Sequence, residues 1–155
     1  MSPKQINLLR RVKEQILREP AQFVMGELFT RSEFGTRDLE REVPHCGTAA
    51  CIGGWAIALS VGMTPSEAAE GQYRGWEEDA ATDAWDRACE ALGLELWTEG
   101  EETDRAHQLM SVWGWPRDLR EAWEAEQTLE GRARIAAERI DRFIAEEEAR
   151  GEEKQ

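Results

Sequence analysis

Apolar residues recur at helical spacing from the start of the chain. Ile6, Leu9, Val12 and Ile16, widened by Leu8 and Leu17, form one stripe. Ser2-Pro3 supplies a hydroxyl cap followed by a proline at the first helical position, and Pro20 cannot continue the turn. The pattern therefore predicts a helix from Pro3 to about Arg18. A second, short helix opened by Pro20 and carrying Phe23, Val24, Leu28 and Phe29 is expected next. From Thr30 to Gly47 the periodicity fades into loop, with one turn near residues 37–42.

The segment Ala49–Val61 is apolar on nearly every side and stops at Gly62, which predicts a central buried helix. Thr64-Pro65-Ser66-Glu67 reads as a capping box that opens a short helix. Ala84, Trp85, Ala88, Cys89 and Leu92 predict another helix, stopped by Gly93. One more is expected near residues 103–112, with Ala106, Leu109, Met110 and Trp113 on one side. Trp115-Pro116 breaks it, and Pro116 starts a helix to about Glu126. Thr128 caps a long amphipathic helix through Ala133, Ala136, Ala137, Ile140, Phe143 and Ile144. Alternating Val, Ile and Thr runs are absent. The fold class expected is all-α: an irregular bundle of about seven helices around Ala49–Val61. Residues 1–149 form a single domain and 150–155 a charged, frayed tail.

Charge narrows the function classes. The chain has 155 residues, with 32 acidic against 19 basic side chains and a formal charge of −13. A general nucleic-acid binder needs the opposite sign to displace counterions. No apolar run reaches the ~20 residues of a bilayer span, and Met1-Ser-Pro-Lys-Gln leads into a charged helix rather than a secretion signal. Three cysteines are too few for a secreted disulfide scaffold, so a cytoplasmic setting is expected. Between Glu67 and Asp104, 13 acidic residues meet only Arg74 and Arg87. The densest acidic patches of that stretch are Glu77-Glu78-Asp79 and Glu99–Asp104, the latter with Glu101 and Glu102, and Trp76, Trp85 and Trp97 interleave with the charge. Such a surface would suit a basic protein partner, because tryptophan is enriched at interface hot spots. A solvated face is the plainer alternative.

The segment His45-Cys46-Gly47-Thr48-Ala49-Ala50-Cys51-Ile52-Gly53-Gly54-Trp55-Ala56 departs from ordinary helix sequence. Gly53 and Gly54 each cost ~1 kcal/mol against alanine inside a helix. Cys46 precedes the helix and Cys51 lies in its first turn, where the helix dipole favours thiolate. The run is similar to the signature Cys-Gly-Thr-x-x-Cys-Ile-Ala-Gly-Trp-Ala of a family of small bacterial and phage proteins, with Gly53 in place of the alanine. Downstream, Ala91-Leu92-Gly93-Leu94, Leu109-Met110 with Trp115-Pro116, and the helix Ala136–Ile144 resemble further landmarks of that family. The resemblance spans about residues 45–145 and implies a small helical domain without implying an activity.

Three readings of the cysteines stay open. They pack as small apolar groups; they form a redox-sensitive pair or a metal site with His45 and His107; or one is a nucleophile with His107 as its base. The last also resembles the papain-like motif Cys-Gly-Ser-Cys-Trp-Ala. There the tryptophan directly follows the nucleophile, whereas three residues separate Cys51 from Trp55 here. No phosphate-binding Gly-Lys-Ser/Thr, Gly-x-Ser-x-Gly or His-Glu-x-x-His motif occurs, and no cofactor is called for. The reading favoured is a non-enzymatic acidic binding protein, with a cysteine-dependent site at Cys46/Cys51 as the alternative.

Overall fold

The computed structural model describes residues 1–25, 29–31, 48–64, 67, 80–95 and 105–153. Its first helix, α1, spans Pro3–Arg18. Ser2 opens it with a reciprocal cap: the Gln5 side chain accepts from the Ser2 backbone N–H at 2.7 Å, and the Ser2 hydroxyl accepts from the Gln5 N–H. Leu8, Leu9, Val12 and Ile16 are buried, as their spacing predicts. They pack on α2 (Ile52–Val61) and on the long C-terminal helix α6 (Leu129–Glu153). Thr128 caps α6, its hydroxyl accepting from the Gly131 N–H at 3.0 Å. Ala133, Ala136, Ala137, Ile140, Phe143 and Ile144 all turn inward. The helix runs on to Glu153, into the stretch expected to be tail.

Helix α2 occupies the centre. It packs against α1, α3 (Ala80–Leu92) and α4 (Arg105–Met110), and buries Ile52, Gly53, Gly54, Trp55, Ala56 and Ala58. It ends at Gly62, whose φ of +70° is the left-handed conformation that glycine adopts without a Cβ penalty. Gly93 closes α3 in the same way. After α4 a 3-10 turn, Val112–Gly114, leads to α5 (Arg117–Ala125). Thr64 and Glu67 form the expected reciprocal pair, with the Thr64 N–H donating to the carboxylate at 2.8 Å and the Glu67 N–H to the hydroxyl at 3.2 Å. An irregular all-helical bundle results, with six helices among the described residues.

Buried charge ties α4 to α6. Arg139, only 1% exposed, donates from Nε to the Gln108 carbonyl at 2.9 Å and from Nη1 to Glu146 at 2.9 Å. Arg105 reaches Glu146 at 2.8 Å and Glu147 at 2.9 Å. These are charge-assisted contacts, stronger than neutral hydrogen bonds.

Two local expectations are corrected. The central helix does not begin at Ala49. Residues Thr48–Ala50 form strand β2, antiparallel to β1 (Phe29–Arg31) with Ala50 opposite Phe29. Cys51 stays extended (φ −78°, ψ −176°), so the helix enters at Ile52. Alanine's helix preference is overridden because pairing satisfies this backbone elsewhere. Nor does Pro20 open a helix that carries Phe23 and beyond. It starts a single 3-10 turn, Pro20–Gln22. Phe23 then extends and bridges Ala50 in parallel, and the Val24 N–H donates to the Ala50 carbonyl at 3.2 Å. Among the described residues, no helix is long and apolar enough to cross a membrane.

Candidate functional site

The backbone pairing around Ala50 sets up a site that neither segment suggests alone. The Phe23–Ala50 bridge draws Met25 alongside Cys51 at the mouth of α2. Trp55, one turn into α2, donates its indole N–H to the Gln22 carbonyl at 3.1 Å and pins the 3-10 turn in place. On the other side, His107 and Met110 are three residues apart on α4 and share a helix face. The Trp115 indole holds the end of that helix, donating to the Leu109 carbonyl at 3.0 Å.

Between these parts lies a cavity of about 690 Å³. Met25, Cys51, Trp85, His107 and Met110 line it, and so do Ser111, Val112 and Trp113 where the chain leaves α4. Trp123 and Glu124 of α5 and Arg132 of α6 complete the wall. Trp123 is fixed by edge-on contacts with Phe23 (centroids 6.0 Å apart) and Trp115 (5.4 Å). The Arg132 guanidinium lies 5.2 Å from the centre of its ring. Trp113 is 73% exposed, an unusual state for so large an apolar ring. The volume falls in the range of small-ligand sites, and the lining is mostly apolar with a few polar groups.

Cys51 caps α2, but its thiol is not primed by the helix. Burial pushes its pKa above the ordinary 9.0, and the Gly54 and Gly53 N–H groups offset only part of that shift. The Cys51 side chain makes no capping hydrogen bond to the helix. The thiolate expected from the helix dipole is thus corrected: desolvation outweighs the dipole. The imidazole of His107 is seated against Gly114, where an added Cβ would lie 2.7 Å from Nδ1 and overlap the His107 carbonyl.

Of the cysteine-site residues, Cys51 and His107 both line this cavity, and Cys51 carries a free thiol. His45, Cys46 and Gly47 lie outside the described residues. Thr48 belongs to β2, and Gly53, Gly54 and Trp55 are buried on α2. The interface residues Trp76, Glu77, Glu78, Asp79, Trp97, Glu101 and Glu102 also lie outside the described residues. Among the described residues, no three His, Cys, Asp or Glu side chains are grouped to hold a metal ion. Met25, Ser111, Trp123 and Arg132 escaped the sequence reading, because they converge from separate elements and share no spacing pattern. Compared with known proteins, the chain matches no family model, no curated protein and no solved structure.

Proposed function

We propose that the chain is a non-enzymatic binding protein. Its tryptophan-lined cavity receives an apolar side chain of a basic protein partner, and the acidic stretch 67–104 attracts that partner. The observation that carries this reading is the 690 Å³ cavity with Trp113 standing 73% exposed beside it. A formal charge of −13, concentrated in that stretch, supports a basic partner over an acidic one. Burial that keeps Cys51 protonated weighs against the cysteine-dependent alternative, since the thiolate is the reactive form. A free Cys51 thiol supports placing the protein in a reducing compartment such as the cytoplasm. Membership of the family that residues 45–145 resemble is part of the same proposal, supported by the order of the shared motifs.

Lysine- and arginine-rich peptides with one central Phe or Leu provide the test, with binding followed by tryptophan emission and calorimetry. A peptide with the apolar anchor binds, and the same peptide with Ala at the anchor does not. Trp113→Ala costs at least ~2 kcal/mol of affinity, as expected for a hot-spot tryptophan, and added salt weakens binding steeply. Unchanged affinity in Trp113→Ala, or binding indifferent to salt, refutes the reading.

A further inference from the structure

Among the described residues, one Lys or Arg lines the cavity: Arg132, half-buried in the first turn of α6. Its guanidinium lies 5.2 Å from the centre of the Trp123 ring, and its Nε–H donates to the Glu126 carbonyl at 3.3 Å. Resting on the partner-binding reading, we infer that the apolar side chain this cavity receives belongs to the C-terminal residue of the basic partner, and that Arg132 takes that residue's terminal carboxylate.

The state of Arg132 decides the chemistry. The ring contact and the carbonyl bond hold the guanidinium at its face and at Nε, which leaves its two terminal amino groups as a fork. That fork matches a carboxylate through two parallel hydrogen bonds. Among the described residues, Arg132 makes no ion pair, and its terminal amino groups donate to no acceptor. The nearby Glu126 carboxylate does not neutralise it, because that group is turned to Thr128, accepting from its N–H and its hydroxyl at 2.8 Å each. A half-buried guanidinium without an acceptor gains most from an anion, since charge-assisted hydrogen bonds are stronger than neutral ones. The lining from Met25, Trp85, Met110, Val112 and Trp113 asks for an apolar group as well. In a polypeptide, one residue carries both an apolar side chain and a carboxylate only at the C-terminus. Charge selects that source over a free organic acid. A bare acid meets a molecule of formal charge −13 with nothing to offset the repulsion, whereas a carboxylate that ends a Lys- and Arg-rich chain arrives with the compensation attached. Glu124, an exposed carboxylate in the same wall, works in the same direction.

The test is calorimetric titration of the full chain with Lys- and Arg-rich peptides of matched length. The first ends in Phe with a free carboxylate, and the second is its C-terminal amide. A third ends in Ala with a free carboxylate, and a fourth carries Phe-Asp at its centre and ends in an amide. Hydrocinnamate serves as the free small acid. The Phe acid binds about tenfold or more tighter than its amide, the scale of one charge-assisted hydrogen bond. The Ala acid binds far more weakly, the Phe-Asp peptide does no better than the amide, and hydrocinnamate binds more weakly than the Phe acid. Arg132→Gln removes the preference for acid over amide, and Arg132→Lys, which keeps the charge but not the fork, retains only part of it. Arg134→Gln, at an exposed position on the same helix, leaves it unchanged. Equal affinity for acid and amide, an undiminished preference in Arg132→Gln, or an equal loss in Arg134→Gln overturns the inference. So does binding of the Phe-Asp peptide or of hydrocinnamate as tight as that of the Phe acid. The comparison of acid with amide is made on the unaltered chain, so it decides the matter even where a variant fails to fold. If acid and amide bind alike and the Ala acid more weakly, the C-terminal assignment fails and the partner-binding reading stands. If no peptide binds, or the Ala acid binds as well as the Phe acid, that reading fails as well.

Discussion

Trp55→Phe tests whether the indole at the centre of α2 holds the site together. Trp55 is 4% exposed, and its N–H donates to the Gln22 carbonyl at 3.1 Å. Phenylalanine keeps one ring, loses the donor and leaves part of the indole volume empty. The hydrogen bond contributes about 1 kcal/mol net. The lost apolar area and the void add about 1–2 kcal/mol, by analogy with other core truncations. The expected loss is therefore about 2–3 kcal/mol. For a chain of this length that corresponds to a fall in Tm of about 5–10 °C. Urea unfolding measures it directly, with an unchanged m-value showing that the unfolded state is the same. Trp113→Phe is the control. At 73% exposure it changes stability by no more than about 0.5 kcal/mol. A loss below about 1 kcal/mol in Trp55→Phe, or an equal loss in the control, would show that the Gln22 contact does not organise the cavity wall.

Three further outcomes follow from local geometry. Gly93→Ala costs more than Gly62→Ala: both sit at positive φ and pay about 1 kcal/mol for it, but a Cβ at Gly93 also overlaps the Gln5 side chain that completes the α1 cap, whereas Gly62 faces open space; equal melting temperatures would contradict this. Burial raises the pKa values of Glu146 and Glu147, but Arg139 and Arg105 at the first and Arg105 at the second outweigh it, so both end below the ordinary 4.5. Their contribution is then fully present above pH 4.5 and lost as pH falls through the folded values; the urea midpoint should drop in acid less steeply in Glu146→Gln/Glu147→Gln, and identical slopes would refute it. Cys51 titrates above 9.0, so stability due to its neutral form is complete below that pH and lost as pH rises through the folded value. In a Cys46→Ser/Cys89→Ala background, native alkylation should be slow at neutral pH and accelerate only above 9.0, and fast neutral alkylation would count against a desolvated thiol.

What the sequence made legible was what local rules govern. Ser2-Pro3, Thr128, Gly62 and Gly93 mark helix ends by capping chemistry that depends on a few neighbouring residues, and each lies at the end it announces. The stripes of α1 and α6 face inward because a period of 3.6 leaves only one way to bury them. Thr48–Ala50 was misread because its pairing partners, Phe23 and Phe29, are remote in sequence. Alanine's local preference says nothing about a backbone carbonyl that a distant N–H will claim.

The same distinction explains the site. Cys51 and His107 attract notice as residue types, yet 55 positions separate them, and no spacing rule connects the mouth of α2 to the exposed face of α4. What connects them is the apolar character of α2 on all sides. A helix with no polar face must be covered everywhere, so α1, α3 and α4 are drawn against it. Its first turn is covered differently, by an extended segment carrying Met25, because β2 occupies the preceding backbone. An extended strand fills less space than a helix would, and the space left over is walled by the tryptophans of α3, α5 and the turn after α4. The late start of α2 at Ile52 and the cavity beside Cys51 are therefore two consequences of one event, the pairing of Ala50 with the chain near Phe23.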